Sequence, residues 1–162
     1  MDATTRSELI ERYATAPARL RAVREEVPPA AMKWRPAPGK WSVHEVICHC
    51  GDSETNAAMR IRYLLGEVEP VIQGYDQDRW AAVLDYHGQD LDDAFTIIDA
   101  TRALTLPLIR RQPSAAWLRA GRHTESGPYS ATTWLQTYAA HIDQHVAQIR
   151  RNIAAWKARA DT

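Results

Sequence analysis

Residues 42 to 66 read SVHEVICHCGDSETNAAMRIRYLLG, and this stretch decides the secondary-structure class of the chain. Ser42 followed three positions later by Glu45 forms a capping box. The serine oxygen accepts from the Glu45 amide while the glutamate reaches back to the serine amide, which satisfies two donors that a helix start leaves unpaired. Behind the cap, Val43, Val46, Ile47, Cys50, Ala57, Ile61, Leu64 and Leu65 recur at helical spacing, and Gly66 suits a C-terminal stop. A helix with such a one-sided apolar stripe has to bury it against other elements.

The same periodicity extends outward. Leu9, Ile10, Tyr13, Leu20, Val23 and Val27 predict a first helix over 5–27, kinked at Pro17. Residues 28–40, PPAAMKWRPAPGK, are rich in proline and read as an ordered connector rather than an element. Residues 67–89 form a long connection with one short helix around Asp78 to Leu84. A third helix is expected from Leu91 to Arg111 through Phe95, Ile98, Leu104 and Leu108, with Pro107 near its end. After an irregular stretch over 112–129, a fourth helix runs from Ser130 to Lys157 with Leu135, Tyr138, Ile142, Val146, Ile149, Ile153 and Trp156 inward. No run alternates as a strand would and nothing repeats. The expected fold is all-α, a four-helix bundle with long crossover connections, in a single domain over 1–162.

Composition excludes several roles. Lys+Arg and Asp+Glu both number 20, so no net field draws the chain to nucleic acid or to an anionic membrane. No apolar run approaches the ~20 residues of a membrane span, and 1–21 lacks the apolar centre of a signal peptide, which points to the cytoplasm. Cys48 and Cys50, two apart on one helix, are placed as reduced thiols.

Near the C-terminus AHIDQHVAQI, residues 140–149, sets His141 and His145 one helical turn apart. The zinc-peptidase pattern H-E-x-x-H fails here because Ile142 stands where the glutamate base belongs. At about 100° per residue both histidines flank the apolar stripe on one side, and His49 flanks the stripe of the second helix in the same way. Border positions line the seams of a bundle, where imidazoles from facing helices converge on an ion and leave coordination positions open. Periodicity alone still favours the plainer alternative, with His141 and His145 half-exposed and His49 hydrogen-bonded.

Two segments add an independent signal. RPAPGKWSVHEVICHCGDSE (35–54) followed by AAHIDQHVAQIRR (139–151) resembles the DinB/YfiT-like metalloenzyme superfamily, in which a proline-rich lead enters K-W-S at a helix start and H-x-x-x-H precedes Q-I on the last helix. The resemblance covers essentially the whole chain. It implies metal ligation by His49, His141 and His145, with a divalent ion such as zinc or nickel as cofactor. It also implies small-thiol-dependent S-transfer as the leading activity, with the thiol as a cosubstrate. Hydrolysis by metal-activated water is the second expectation, and a non-catalytic small-molecule binding or stress-response protein the third. The partners expected are a small-molecule substrate and a second copy of the chain, a homodimer paired through an apolar seam on the first and last helices.

Other residues carry plainer expectations. Glu54 projects onto the apolar side of its helix and needs a partner, an arginine or a metal ligand, with a catalytic base as the lesser reading. Ser53 and Asn56 share the side of His49. Cys50 faces the core and Cys48 points about 160° away, so CHC cannot aim three side chains at one ion. His44 is expected to be exposed, and His87 and His123 lack a matching partner. Trp34 and Trp41 are placed as wedges for the connector, Trp80 and Trp117 as packing in the long connections. Arg110, Arg111, Arg119 and Arg122 read as a solvated face.

Overall fold

The computed structural model describes residues 1–159, so the last three residues of the expected domain lie outside the described residues. Five α-helices carry the architecture: α1 (Ala3–Glu25), α2 (Val43–Gly66), α3 (Gln77–Val83), α4 (Leu91–Arg110) and α5 (Ala131–Ala158). The four long ones form the bundle, and α3 sits in the connection between α2 and α4. Three small strands complete the described residues, β1 (Val71–Ile72), β2 (Ala120–His123) and β3 (Gly127–Ser130). No helix among them is long and apolar enough to cross a membrane.

The Ser42 cap forms where the sequence places it. The Ser42 hydroxyl accepts from the Glu45 amide at 3.2 Å while the Glu45 carboxylate accepts from the Ser42 amide at 2.8 Å. The same carboxylate is forked by Arg35 from the proline-rich connector, which pins that connector to the start of α2. Asp2, Asp90 and Ser130 cap α1, α4 and α5 in the same manner. The connector itself holds a single 3₁₀ turn, Pro29–Ala31.

The order of the helices around the bundle is not their order in the chain. α1 packs on α5 and on α4, and α2 packs on α4 and on α5, so sequence neighbours α1 and α2 face one another across a diagonal. Directions follow from the cross-links. Arg12 and Arg19 both hold Asp143, and Tyr13 meets Trp134, so α1 and α5 run parallel. Glu54 pairs with Arg102 and Arg62 with Thr105, so α2 and α4 are parallel too, joined by the crossover through β1 and α3. The apolar residues Ile10, Tyr13, Leu20 and Val23 of α1 and Ile142 and Ile149 of α5 are all buried inside the chain.

Two apolar clusters fill the bundle, one around Leu20, Ile47, Ile98 and Ile149, the other around Tyr13, Ile61, Ile109 and Trp134. Between them, fully buried, lies the ion pair of Glu54 and Arg102, with Arg102 Nη2 2.6 Å and Nε 2.9 Å from the carboxylate oxygens. Arg102 also donates to the carbonyl of Tyr13. That carbonyl is available because residue 17, whose amide would claim it in a regular helix, is proline. Pro17 therefore lies inside an uninterrupted α1 and supplies an acceptor rather than a break.

The sheet departs from the sequence expectation. β2 and β3 are antiparallel and β1 joins β2 in parallel, Val71 opposite Arg122 and Ile72 opposite His123. AGRH and GPYS show no alternation, because such short strands are held by neighbours rather than by a buried face. Gly121 is needed there: a Cβ would stand 2.1 Å from the Pro70 carbonyl oxygen. A further expectation is corrected. His44 is buried, its Nε2 3.0 Å from the Gln89 carbonyl, because the Tyr86–Gly88 turn folds over the start of α2. The same turn buries Cys48 beside Tyr86 and Ala81.

Two outcomes test this frame. Glu54→Gln leaves a buried guanidinium uncompensated and is expected to cost about 3–5 kcal/mol in urea denaturation, whereas Glu54→Leu combined with Arg102→Met recovers most of that loss. Burial alone would raise the Glu45 carboxyl, but Arg35 and the Ser42 amide and hydroxyl outweigh it and hold it down at about 2, from 4.5. Its contribution is therefore complete above pH 4.5 and fades as pH falls towards 2. Glu45→Gln should cost about 1–2 kcal/mol at pH 7 and progressively less through that acid window, read from denaturation curves at stepped pH.

Candidate metal centre

α2 and α5 run antiparallel, and their facing borders bring three histidines together. His49 comes from the middle of α2, buried completely, while His141 and His145 stand one turn apart on α5. Their Nε2 atoms converge: His49 to His141 is 3.3 Å and His145 to His141 is 3.1 Å. All three donor atoms lie within 4.8 Å of one another. Nitrogens bound at 2.0–2.1 Å to one tetrahedral ion stand ~3.3 Å apart, so the spacing suits a single small cation.

The protonation pattern points the same way. His145 Nδ1 sits 2.9 Å from Gln148 Oε1, an acceptor, which keeps the ring proton on Nδ1 and leaves Nε2 as a bare lone pair. One proton at most can be shared along each His–His contact, and His141 Nε2 faces two partners at once. Burial, with the neighbouring His145 charge, pushes His49 down to about 3; burial and the charges of His145 and His49 push His141 down to about 2. Burial lowers His145 as well. All three imidazoles are thus neutral at pH 7, the state that ligates. His49 and His141 keep Nδ1 atoms that are buried without a partner.

Around this centre the structure adds residues with no motif of their own. Trp41, expected as a wedge, lays its ring 4.8 Å from that of His49. The Ser53 hydroxyl lies 3.4 Å from His141 Nε2, whereas Asn56 turns back to the Asp52 carbonyl. A cavity of ≈ 200 Å³ opens beside His141, walled by Ser53, Arg60, Tyr75, His123 and Tyr138 among others. A second of ≈ 490 Å³ opens beside His145, against Trp41, Lys40 and Gln148. Arg60 was within reach of sequence reasoning, since 49, 53, 56 and 60 share one helix face. Tyr75 and His123 were not, because they arrive on the two long connections.

Several candidates are placed elsewhere. Glu54 is bound to Arg102 and fills a structural role. Among the described residues no Asp, Glu or Cys joins the three histidines. His87 Nε2 pairs with the Ser42 hydroxyl at 2.8 Å. Arg119 donates to the Leu64 and Glu67 carbonyls at the end of α2, and Arg110 makes an exposed pair with Glu11. Trp80 packs on Tyr75 and Trp117 is buried.

The helical bundle has counterparts among known proteins. The family model described as the DinB superfamily matches residues 12–149. The chain belongs to the DinB superfamily. A relative from Oceanobacillus iheyensis named "putative metal-dependent hydrolase" is 33% identical over 111 residues, 68% of this chain and 64% of the relative. Another with that name, from Halalkalibacterium halodurans, is 22% identical over 148 residues, 91% of this chain and 86% of its own. The first relative is therefore matched over less than two thirds of its length. The solved structure of YfiT from Bacillus subtilis, described as a probable metal-dependent hydrolase with an unusual four-helix bundle topology, superposes with TM-score 0.87 at 22% identity, over 94% of this chain and 87% of that one. A further four-helix bundle protein superposes with TM-score 0.65 at 20% identity, covering 90% of this chain and 98% of its own. The four-helix bundle expected from the sequence is thus the fold of this superfamily member, with the small sheet added to it.

Gln148 offers a direct check of the centre. Gln148→Leu removes the acceptor that fixes the His145 tautomer and is expected to weaken divalent-ion affinity about tenfold or more, with the fold unchanged. Competition against a chromophoric chelator reads the affinity, and circular dichroism reads the fold.

Proposed function

We propose that this chain is a metal-dependent hydrolase of a small molecule, with a divalent ion held by Nε2 of His49, His141 and His145. The observation that carries the reading is the convergence of those three nitrogens at 3.1 and 3.3 Å beside a polar cavity. Three imidazoles suit zinc or nickel, and three protein ligands leave room for a substrate or water. When bound, such an ion polarises a carbonyl oxygen and lowers the pKa of a water molecule. Trp41 covers His49 and keeps water from that side of the ring. The Ser53 hydroxyl, 3.4 Å from His141 Nε2, stands beside the cavity where it can hydrogen-bond a polar group of the substrate. No carboxylate stands in the place of the peptidase glutamate, which argues for substrates more readily cleaved than peptides, such as esters and lactones.

The order of the two enzymatic expectations is reversed relative to the sequence. Thiol transfer would use the same three ligands, but the names of the relatives speak for hydrolysis, and no observation in this chain singles out a thiol. The two cysteines play no part, since both are buried and burial raises both thiols, Cys48 to about 12.

Metal analysis of protein purified without an affinity tag tests the first half of the reading. One equivalent of divalent ion per chain is expected, lost in His145→Ala; no ion in the parent protein sinks the proposal. A panel of esters, lactones and amides, assayed before and after chelation, tests the second half. Chelator-sensitive hydrolysis is expected, while metal-dependent conjugation of glutathione to an electrophile without any hydrolysis would return thiol transfer to first place.

A further inference from the structure

The cavity beside His141 has a wall of hydrogen-bond donors that the proposed metal chemistry does not use. Arg60, half-buried on α2, donates from Nη1 to the Tyr138 hydroxyl at 2.9 Å and from Nη2 to the Gln73 carbonyl at 2.7 Å. Its Nε is buried with no partner, and among the described residues it forms no ion pair with a carboxylate. A guanidinium taken out of water without a counter-charge is costly, unlike Arg102, whose carboxylate is in place.

His123 supplies a second donor. Its Nδ1 accepts from the amides of Glu125 and Ser126 at 3.2 and 3.4 Å, so the neutral ring carries its proton on Nε2. Burial and the nearby Arg60 charge lower its pKa despite Glu125, which favours that neutral form. The Tyr138 hydroxyl, already accepting from Arg60, has its own proton to give. Glu125 is the one acid on the cavity wall, and it is exposed, its carboxyl lying over Gly74 where a Cβ would meet it at 2.4 Å.

We infer that this cavity binds a carboxylate of the substrate, through Arg60 and the Nε2–H of His123, and so holds the substrate with its scissile carbonyl towards the three histidines. The substrate class is then an ester, lactone or amide bearing a carboxylate. A volume of ≈ 200 Å³ admits a carboxylate on a short chain. Beyond its bonds to Tyr138 and Gln73, Arg60 keeps N–H donors that no neighbour claims, and a carboxylate is the anion whose geometry matches a planar guanidinium. The assignment rests on the hydrolase reading for its orientation but not for its binding, because the donors belong to the protein and not to an ion.

Binding of propionate to metal-free protein, followed by ligand-observed NMR titration, tests the inference apart from the metal. Propionate is expected to bind, the uncharged match propionamide to bind at least about tenfold more weakly, and Arg60→Gln to weaken propionate by a similar factor. His123→Phe should weaken it less, and Glu125→Gln should tighten it by removing a competing charge. Parent and Arg60→Gln should take up metal equally, so failed metal binding would sink the hydrolase and leave this result standing. Equal propionate affinity in parent and Arg60→Gln overturns the inference, as does anion binding seen only with metal present. Inorganic phosphate binding more tightly than propionate, with the same dependence on Arg60, overturns the carboxylate assignment. Should Arg60→Gln lose the helical signal in circular dichroism, Arg60→Lys and His123→Phe carry the same comparison.

Discussion

Arg102 is the point at which the four long helices meet. It stands on α4, forks the carboxylate of Glu54 on α2, donates to the Tyr13 carbonyl on α1 and reaches the Tyr138 carbonyl on α5 at 3.5 Å. Its guanidinium also lies over the Tyr13 ring, 3.9 Å from the centroid. A buried charge with this many directed bonds tolerates few alternative packings, since a helix rotated or shifted by one turn would strand it. The two apolar clusters on either side supply the bulk of the burial, while this one group fixes how the helices are registered against one another.

That registration is what turns two unremarkable border positions into a chemical centre. His49 lies five residues before Glu54 on α2, and His141 three residues after Tyr138 on α5, so holding Glu54 and Tyr138 to a common arginine holds the histidines opposite each other. Burial then keeps the imidazoles neutral, and Gln148 orients one of them. The same helix face that carries His49 continues through Ser53 to Arg60, so the three-histidine cluster and the donor wall share one rigid support.

Much of this was legible in the linear chain. The Ser42–Glu45 cap, the span of α2 and the phases of His49, His141 and His145 follow from local periodicity, and the family resemblance added the pairing of those three. The need of Glu54 for a partner was visible too, an arginine or a metal ligand, though Arg102 itself carried no mark. His44 was misjudged because a helical projection knows only the bundle, while the Tyr86–Gly88 turn covers that face of α2 from outside. The strands were missed because AGRH and GPYS, paired with each other, are too short to alternate, and AGRH is held on its other edge by Pro70, Val71 and Ile72, some fifty residues away in sequence.

By itself the sequence determined where the helices begin, how they are capped and which side chains lie along their borders. Those properties arise from hydrogen bonds and side-chain spacing within a few residues of each other. Only the tertiary structure decided that α1 and α2 lie across a diagonal, that α2 runs parallel to α4, and that His123 and Tyr75 reach the cavity from separate connections. Apolar stripes are interchangeable in the dark of a core, so the choice among arrangements fell to the few directed polar contacts, Arg102 foremost, whose partners are distant in the chain.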